Sequence, residues 1–275
     1  MKIWRLTTVK GGAKVKKTLT ARISSRVEIA EDLFCLRIDL GENRRQFSFK
    51  AGQYLTLGLF DSNGSWVIDS GKRPALRPYS IVSAPDEKNL EIFVELVSRD
   101  RGGNLTPLLY GLREGDMLQV LPEAKGIFIF EPEYKNQVMV ATVTGIAPFV
   151  SIIRDYRKTG GRDAKFFVLH GASYFNEFGY DNELLDLSGK WPEDVLAAYV
   201  RTISRPDDPR NANIRKLGIS ETGRVNGIIE KYLGSWGLEI KDTIIYVCGH
   251  PGMIENVKNR LSPNGWMIKE ERFWK

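Results

Sequence analysis

Gln137-Val138-Met139-Val140-Ala141-Thr142 runs straight into Val143-Thr144-Gly145-Ile146-Ala147-Pro148-Phe149, and this stretch decides the fold. The first six residues are an apolar run of strand length. Glycine and proline then mark a turn, and Pro148 to Arg157 reads as a helix. The same alternation repeats along the chain. Phe166 to Gly171 reads as a strand, followed by a helix from about Asp181. Leu196 to Ile203 is a third strand, with a helix near Asn226 to Leu233. Thr243 to Cys248 is a fourth, with a helix over Met253 to Leu261. Strands alternating with helices imply right-handed crossovers and a doubly wound α/β fold with a parallel sheet. Ligands of such sheets bind beyond the carboxyl ends of the strands. Thr142, His170, Ser204 and Gly249 all fall there.

The sequence before this stretch has a different rhythm. Thr18 to Val27, Leu33 to Leu40, Tyr54 to Phe60, Trp66 to Ile68, Pro78 to Val82, Leu90 to Val97 and Met117 to Leu121 are short β-branched or alternating runs. Gly, Asn, Asp and Pro separate them, as at Gly41-Glu42-Asn43 and Asp61-Ser62-Asn63-Gly64, which predicts an antiparallel β-barrel. Asn104 to Leu112 is the exception, a short helix stopped before Gly115. Pro132-Glu133-Tyr134-Lys135-Asn136 separates the two patterns. The expected division is a barrel domain over 1–132, with 1–17 as a basic N-terminal extension, and an α/β domain over 133–275.

A chain of 275 residues with 42% hydrophobic content can build two real cores. No run of about twenty apolar residues occurs, so no membrane span is expected. Met1-Lys2-Ile3-Trp4-Arg5 lacks the apolar core of a secretory signal. Cys35 and Cys248 are the only cysteines, which fits a reducing compartment and excludes an all-cysteine iron–sulfur or zinc site. His170 and His250 are the only histidines, and no metal site is expected. A cytoplasmic protein follows. The net charge is +6, and residues 1–50 hold 12 Lys/Arg against 5 Asp/Glu. No helix-turn-helix, RNA-binding aromatic motif or zinc finger accompanies this basic excess, so nucleic acid is not the expected partner. The basic face reads either as a docking surface for an acidic protein or as a merely solvated face.

Arg77-Pro78-Tyr79-Ser80 heads Ile81-Val82-Ser83-Ala84-Pro85. Strand alternation points Arg77 and Tyr79 one way and Ser80 the other. A guanidinium grips a pyrophosphate with parallel hydrogen bonds, a tyrosine offers a flat face to a planar ring, and a serine supplies one adjustable donor and acceptor. These four residues suit a large cofactor with a ring and phosphates. Taken alone, they also suit an ordinary strand ending in a turn.

The wider pattern resembles the ferredoxin/flavodoxin–NADP(+) reductase family of bacterial, FAD-dependent type. Arg77-x-Tyr79-Ser80 resembles its flavin signature, and Gly103-Asn104-Leu105-Thr106 its second flavin segment. Thr144-Gly145-Ile146-Ala147-Pro148-Phe149 resembles its nucleotide loop, and Cys248-Gly249-His250-Pro251-Gly252-Met253 its nicotinamide-side loop. The resemblance runs from about Leu19 to the C-terminus. It implies FAD held by Arg77 at the pyrophosphate, Tyr79 against the isoalloxazine with Pro78 beside it, and Ser80 near N5. Glu95, Leu96 and Val97 match the strand along the flavin, and Gly103 to Thr106 the phosphate-binding helix start. That helix start is equally a helix capped by Asn104. Phe273 and Trp274 map to aromatics that cover the flavin and stack on the adenine, or else anchor the last strand. Glu270 and Glu271 are weak candidates for a carboxylate role.

On the nucleotide side the resemblance implies that Thr144, Gly145, Gly249 and Pro251 line the NADP(H) site. Ser204, Arg205 and Arg224 match the residues that hold the 2′-phosphate. Two arginines and a hydroxyl suit that dianion, whereas an NAD site more often carries a carboxylate. Asp207-Asp208 lie close by, and Ser173 stands where bacterial relatives often carry another arginine. The balance favours NADP(H). Cys248 matches the cysteine beside the nicotinamide and is also readable as a buried structural thiol. One departure is plain: Val143 stands where the family has glycine, and a β-branched residue restricts the backbone there. The implied activity is hydride transfer between nicotinamide C4 and flavin N5, with Ser80 and Cys248 at the reacting centre and ferredoxin or flavodoxin as carrier. The alternatives are an NADH-linked reductase component of an oxygenase-type system and a flavin-binding electron-relay subunit with a degenerate nucleotide site.

Overall fold

The structure is a computed structural model and describes residues 18–219 and 221–272. The expected basic extension at 1–17, and Phe273 and Trp274, lie outside the described residues.

The first half folds as predicted into antiparallel strands: β1 (Leu19–Ala30), β2 (Leu33–Asp39), β3 (Tyr54–Gly58), β4 (Arg77–Ser80), β5 (Leu90–Glu95) and, after helix α1 (Thr106–Gly111), β6 (Met117–Val120). Their spatial order is β4-β3-β6-β1-β2-β5. Ile81 bridges Ile92, and the Val82 N–H donates to the Glu91 carbonyl at 2.8 Å. That contact brings the two edge strands together and makes the sheet barrel-like. Alternation builds the core: Leu19, Ala21 and Ile23 of β1 meet Leu36, Leu55, Leu57 and Leu118 inside. Three expectations shift. Trp66 to Ile68 is not a strand but two isolated bridges, Phe60 with Trp66 and Ile68 with Pro74, because a proline cannot extend a ladder. β1 continues three residues past Val27. Helix α1 starts at Thr106 with Leu105 at its N-cap, so Asn104 lies before the cap and does not make it.

The second half contains β7 (Asn136–Thr142), α2 (Ala147–Lys158), β8 (Lys165–Ala172), α3 (Asp181–Leu187), β9 (Leu196–Ile203), β10 (Glu221–Thr222), α4 (Ile229–Ser235), β11 (Thr243–Gly249), α5 (Pro251–Leu261) and β12 (Met267–Arg272). The order β10-β9-β8-β7-β11-β12 is parallel throughout. The order reverses between β7 and β11, which opens a crevice at their carboxyl ends. The loops after both strands therefore face the same space. β12 was not anticipated. Its charged sequence becomes a strand only by pairing with β11, Cys248 opposite Glu271.

One core cluster joins the halves. Leu33, Ala51, Val82 and Phe93 of the barrel pack with Phe128, Phe149, Ile152 and Tyr246. Polar contacts fix their registration. Ser151 donates to the Ser83 carbonyl at 2.8 Å, and the Tyr180 hydroxyl donates to Glu91 at 2.7 Å. Arg37 holds the other Glu91 oxygen at 2.6 Å. A buried carboxylate answered from both halves ties their relative position to a satisfied network.

Candidate active site

The first cleft, about 530 Å³, opens between β4, β5, the start of α1 and the loop after β7. β4 delivers its residues by alternation: Arg77 and Tyr79 are half-buried, Pro78 is exposed and Ser80 is buried. All four line the cleft, together with Glu95, Val97 and Gly103 to Thr106. Leu96 does not; its N–H donates to the Asp32 carbonyl at 2.7 Å within the barrel. Phe93 and Val94 give an apolar floor, and burial pushes the Tyr79 phenol well above its ordinary pKa. The Thr106 hydroxyl accepts from the Val97 N–H and donates to its carbonyl, both at 3.0 Å. This clamps the end of β5 to the helix start. One N–H of Arg77 donates to the Leu76 carbonyl at 2.9 Å, which sets the guanidinium at the cleft wall.

Ser80 has a partner that lies far away in sequence. Its hydroxyl donates to Glu271 Oε1 at 2.8 Å, joining β4 to β12. Burial pushes the Glu271 carboxyl up to about 7. A carboxyl titrating near neutrality and bonded to a cleft hydroxyl can accept or return a proton through it. Glu270 faces elsewhere, toward Lys258 and Arg272.

The second cleft, about 490 Å³, lies across the switch point of the parallel sheet. Thr144, Ser204, Arg205, Arg224 and Gly249 line it as expected, with Thr142, Val143, Ser173, His250 and Asn256. Gly145, Pro251 and Cys248 are not on its wall. Gly145 is a close-approach glycine: a Cβ would lie 2.2 Å from the Cys248 carbonyl oxygen. Cys248 is fully buried, and burial pushes its thiol well above the ordinary range. It forms the support of the loop as a neutral thiol. Gly249 has φ +126, and its Cβ would lie 2.1 Å from Thr142 Oγ1, which accepts the His250 N–H at 2.8 Å. Glycine is required here on both counts.

The sequence reading missed Tyr174 and Arg210. Arg205 and Arg210 both donate to the Tyr174 hydroxyl, and the Arg210 guanidinium lies 3.5 Å over the ring. Asp208 pairs with Arg210 at 3.0 Å. Asp208 is thus engaged with a cation, and neither it nor Asp207 is among the residues lining the cleft. Arg205 lines the cleft with Ser173, Ser204 and Arg224, whereas Tyr174 and Arg210 are not among its lining residues and reach it only through Arg205.

Comparison with known proteins fits this geometry. An oxidoreductase FAD-binding domain model matches residues 20–123 and an oxidoreductase NAD-binding domain model matches residues 139–259. A flavodoxin/ferredoxin–NADP reductase of Buchnera aphidicola is 30% identical over 231 residues, covering 82% of this chain and 83% of that one. The chain belongs to this reductase family. A reductase component of terephthalate 1,2-dioxygenase from Comamonas is 26% identical, covering 94% of this chain and 68% of its own length. In architecture, the chain superposes on a ferredoxin NADP+ reductase from Neisseria gonorrhoeae, solved with bound FAD and NADP, with a TM-score of 0.75. That match covers 94% of this chain and 100% of the other at 23% identity.

The two clefts meet. Glu95 and Thr144 line both. Burial, reinforced by the charges of Asp32 and Glu177, pushes the Glu95 carboxyl upward. Glu177 accepts from the Ser173 and Tyr174 N–H groups at 2.7 and 3.0 Å, which shapes the turn that carries Tyr174. A molecule in one cleft can therefore touch a molecule in the other at this junction.

Proposed function

We propose that this chain is an FAD-dependent oxidoreductase that moves electrons between NADP(H) and a one-electron carrier protein, ferredoxin or flavodoxin. The observation that carries the reading is the shared wall: a cleft suited to a flavin dinucleotide opens into one suited to a phosphorylated nucleotide at Glu95 and Thr144. The first cleft fits FAD by its chemistry. Tyr79 offers a ring face over an apolar floor, Arg77 a cation for the pyrophosphate, and Gly103 to Thr106 a helix start. When bound, the flavin supplies the redox chemistry, exchanging a hydride with nicotinamide and single electrons with the carrier.

The residues of the chain orient and bind. In this reading residues 1–132 form the flavin unit and 133–275 the nucleotide unit. Ser80 presents its hydroxyl to the reacting edge and hands a proton to or from Glu271. Ser204, Arg205 and Arg224, which line the second cleft, receive the 2′-phosphate as a charge-matched cluster. Cys248 supports the loop that positions the nicotinamide. The basic surplus, with sequence pI near 9.2, supports an acidic carrier attracted at long range. No helix among the described residues is long and apolar enough to cross a membrane, and the buried free thiols accord with a cytoplasmic setting. The test is direct. The purified protein should carry FAD and reduce a ferredoxin or flavodoxin with NADPH, at a rate that falls as salt rises. Flavin absent after reconstitution, or a carrier left oxidised, sinks the proposal. A preference for NADH would move the chain to the oxygenase-reductase reading.

A further inference from the structure

Val143 is bound to a backbone conformation that its side chain opposes. The chain leaves β7 extended at Thr142, with φ −117 and ψ 128, and turns at Val143 with φ +42. A β-branched residue in the left-handed region is a steric outlier that persists only when its surroundings hold it. Two such holds are visible. On the β11 side, Gly145 packs against the Cys248 carbonyl and leaves no room for a side chain. On the β8 side, His170 Nε2 lies 2.9 Å from the Val143 carbonyl oxygen. A carbonyl can only accept, so Nε2 carries the proton and Nδ1 is the acceptor for the Tyr199 hydroxyl at 3.2 Å. His170 is fully buried and edge-on to Phe178 at 5.0 Å. Burial lowers its pKa to about 4, so the ring stays neutral and this tautomer persists across physiological pH.

We propose that His170 is a positioning residue for the nucleotide loop, its Nε2–H holding the Val143 carbonyl so that valine keeps the left-handed turn the loop needs. The effect on the nucleotide rests on the NADP(H) reading above; the hold on Val143 does not. Val143 lines the nucleotide cleft next to Thr144, which reaches the junction of both clefts. A loop that relaxes at Val143 moves the wall that nicotinamide must pass. The flavin cleft lacks Val143 and His170 among its lining residues, so FAD should not respond.

A double-mutant cycle tests this on the FAD-loaded protein. His170→Phe keeps a ring against Phe178 but removes the donor, His170→Gln places an amide N–H near the Nε2 position, and Val143→Gly removes the need for a hold. Loss of one buried hydrogen bond predicts about a tenfold weaker NADPH affinity for His170→Phe. FAD content and the limiting hydride-transfer rate should stay unchanged, and His170→Gln should recover part of the loss. In the Val143→Gly background, the same His170→Phe change should weaken NADPH by less than about twofold. The thermal midpoint without nucleotide reads the hold alone: His170→Phe should lower it less when residue 143 is glycine. Equal thermal losses in both backgrounds would overturn the hold. Thermal coupling with unchanged NADPH affinity would overturn the positioning role. A wild-type protein that shows no NADPH binding would instead overturn the functional reading, and the thermal cycle would still decide the hold.

Discussion

The flavin cleft and the nucleotide cleft share a wall but are organised in opposite ways. In the first, the polar groups already have partners within the fold: Ser80 with Glu271, and Thr106 with Val97. Beside the second, two exposed guanidinium groups share one tyrosine hydroxyl, and Arg205 and a strained valine line the cleft. Satisfied hydrogen bonds fix geometry before a ligand arrives. Beside the second cleft Asp208 already pairs with Arg210, whereas the exposed Arg205 lines the cleft and can meet an arriving anion. The first cleft is therefore a preorganised holder for a resident group. In the proposed function the second receives a ligand that arrives and leaves.

Removing the ring face is the strongest way to break that contrast. Tyr79→Ala should weaken FAD binding about 100-fold, from lost burial and stacking, while Tyr79→Phe should keep most of it. Fluorescence titration of FAD would check both, and NADPH affinity for any FAD-loaded fraction should not move. Ser80→Ala should retain FAD yet slow single-turnover flavin reduction on the order of 10-fold to 100-fold. An unchanged rate would remove Ser80 from the reacting centre. On the other side, Arg205→Ala should raise the KM for NADPH about tenfold and leave that for NADH almost unchanged. Equal losses with both nucleotides would show that the cluster does not read the 2′-phosphate.

The smallest effect concerns pH. Glu271 is raised to about 7 by burial, so the native state holds a proton that the unfolded chain has released. Its contribution is full below the ordinary carboxylate range and is lost as pH rises to about 7. Relative to Glu271→Gln, the wild type should lose about 2–4 °C of thermal midpoint between pH 5 and pH 8. Parallel midpoints across that range would place the Glu271 carboxyl in a more solvated setting.

Legibility in the sequence follows the same division. The apolar runs that became β7, β8, β9 and β11 were readable because strands in a parallel sheet are buried over their length. Arg77-Pro78-Tyr79-Ser80 was readable because all its side chains act from one short strand. β12 was not, since Lys269-Glu270-Glu271-Arg272 carries no apolar alternation and becomes a strand only beside β11. Glu271 was readable as a carboxylate candidate alongside Glu270, but its contact with Ser80 was not, as 191 positions separate the two. Arg210 and Tyr174 were missed for a related reason: they sit in separate loops that only the sheet brings together. Val143 was noticed as a departure, but its companion His170 lies 27 residues on, on the neighbouring strand.

In the proposed function the two clefts join a resident flavin to an arriving NADPH. Anaerobic mixing of the FAD-loaded protein with NADPH or NADH, followed by flavin absorbance, tests it most directly. NADPH should bleach the flavin rapidly, and NADH at equal concentration at a rate at least about tenfold lower. Bound flavin that neither nucleotide bleaches, or that NADH bleaches faster, would contradict it.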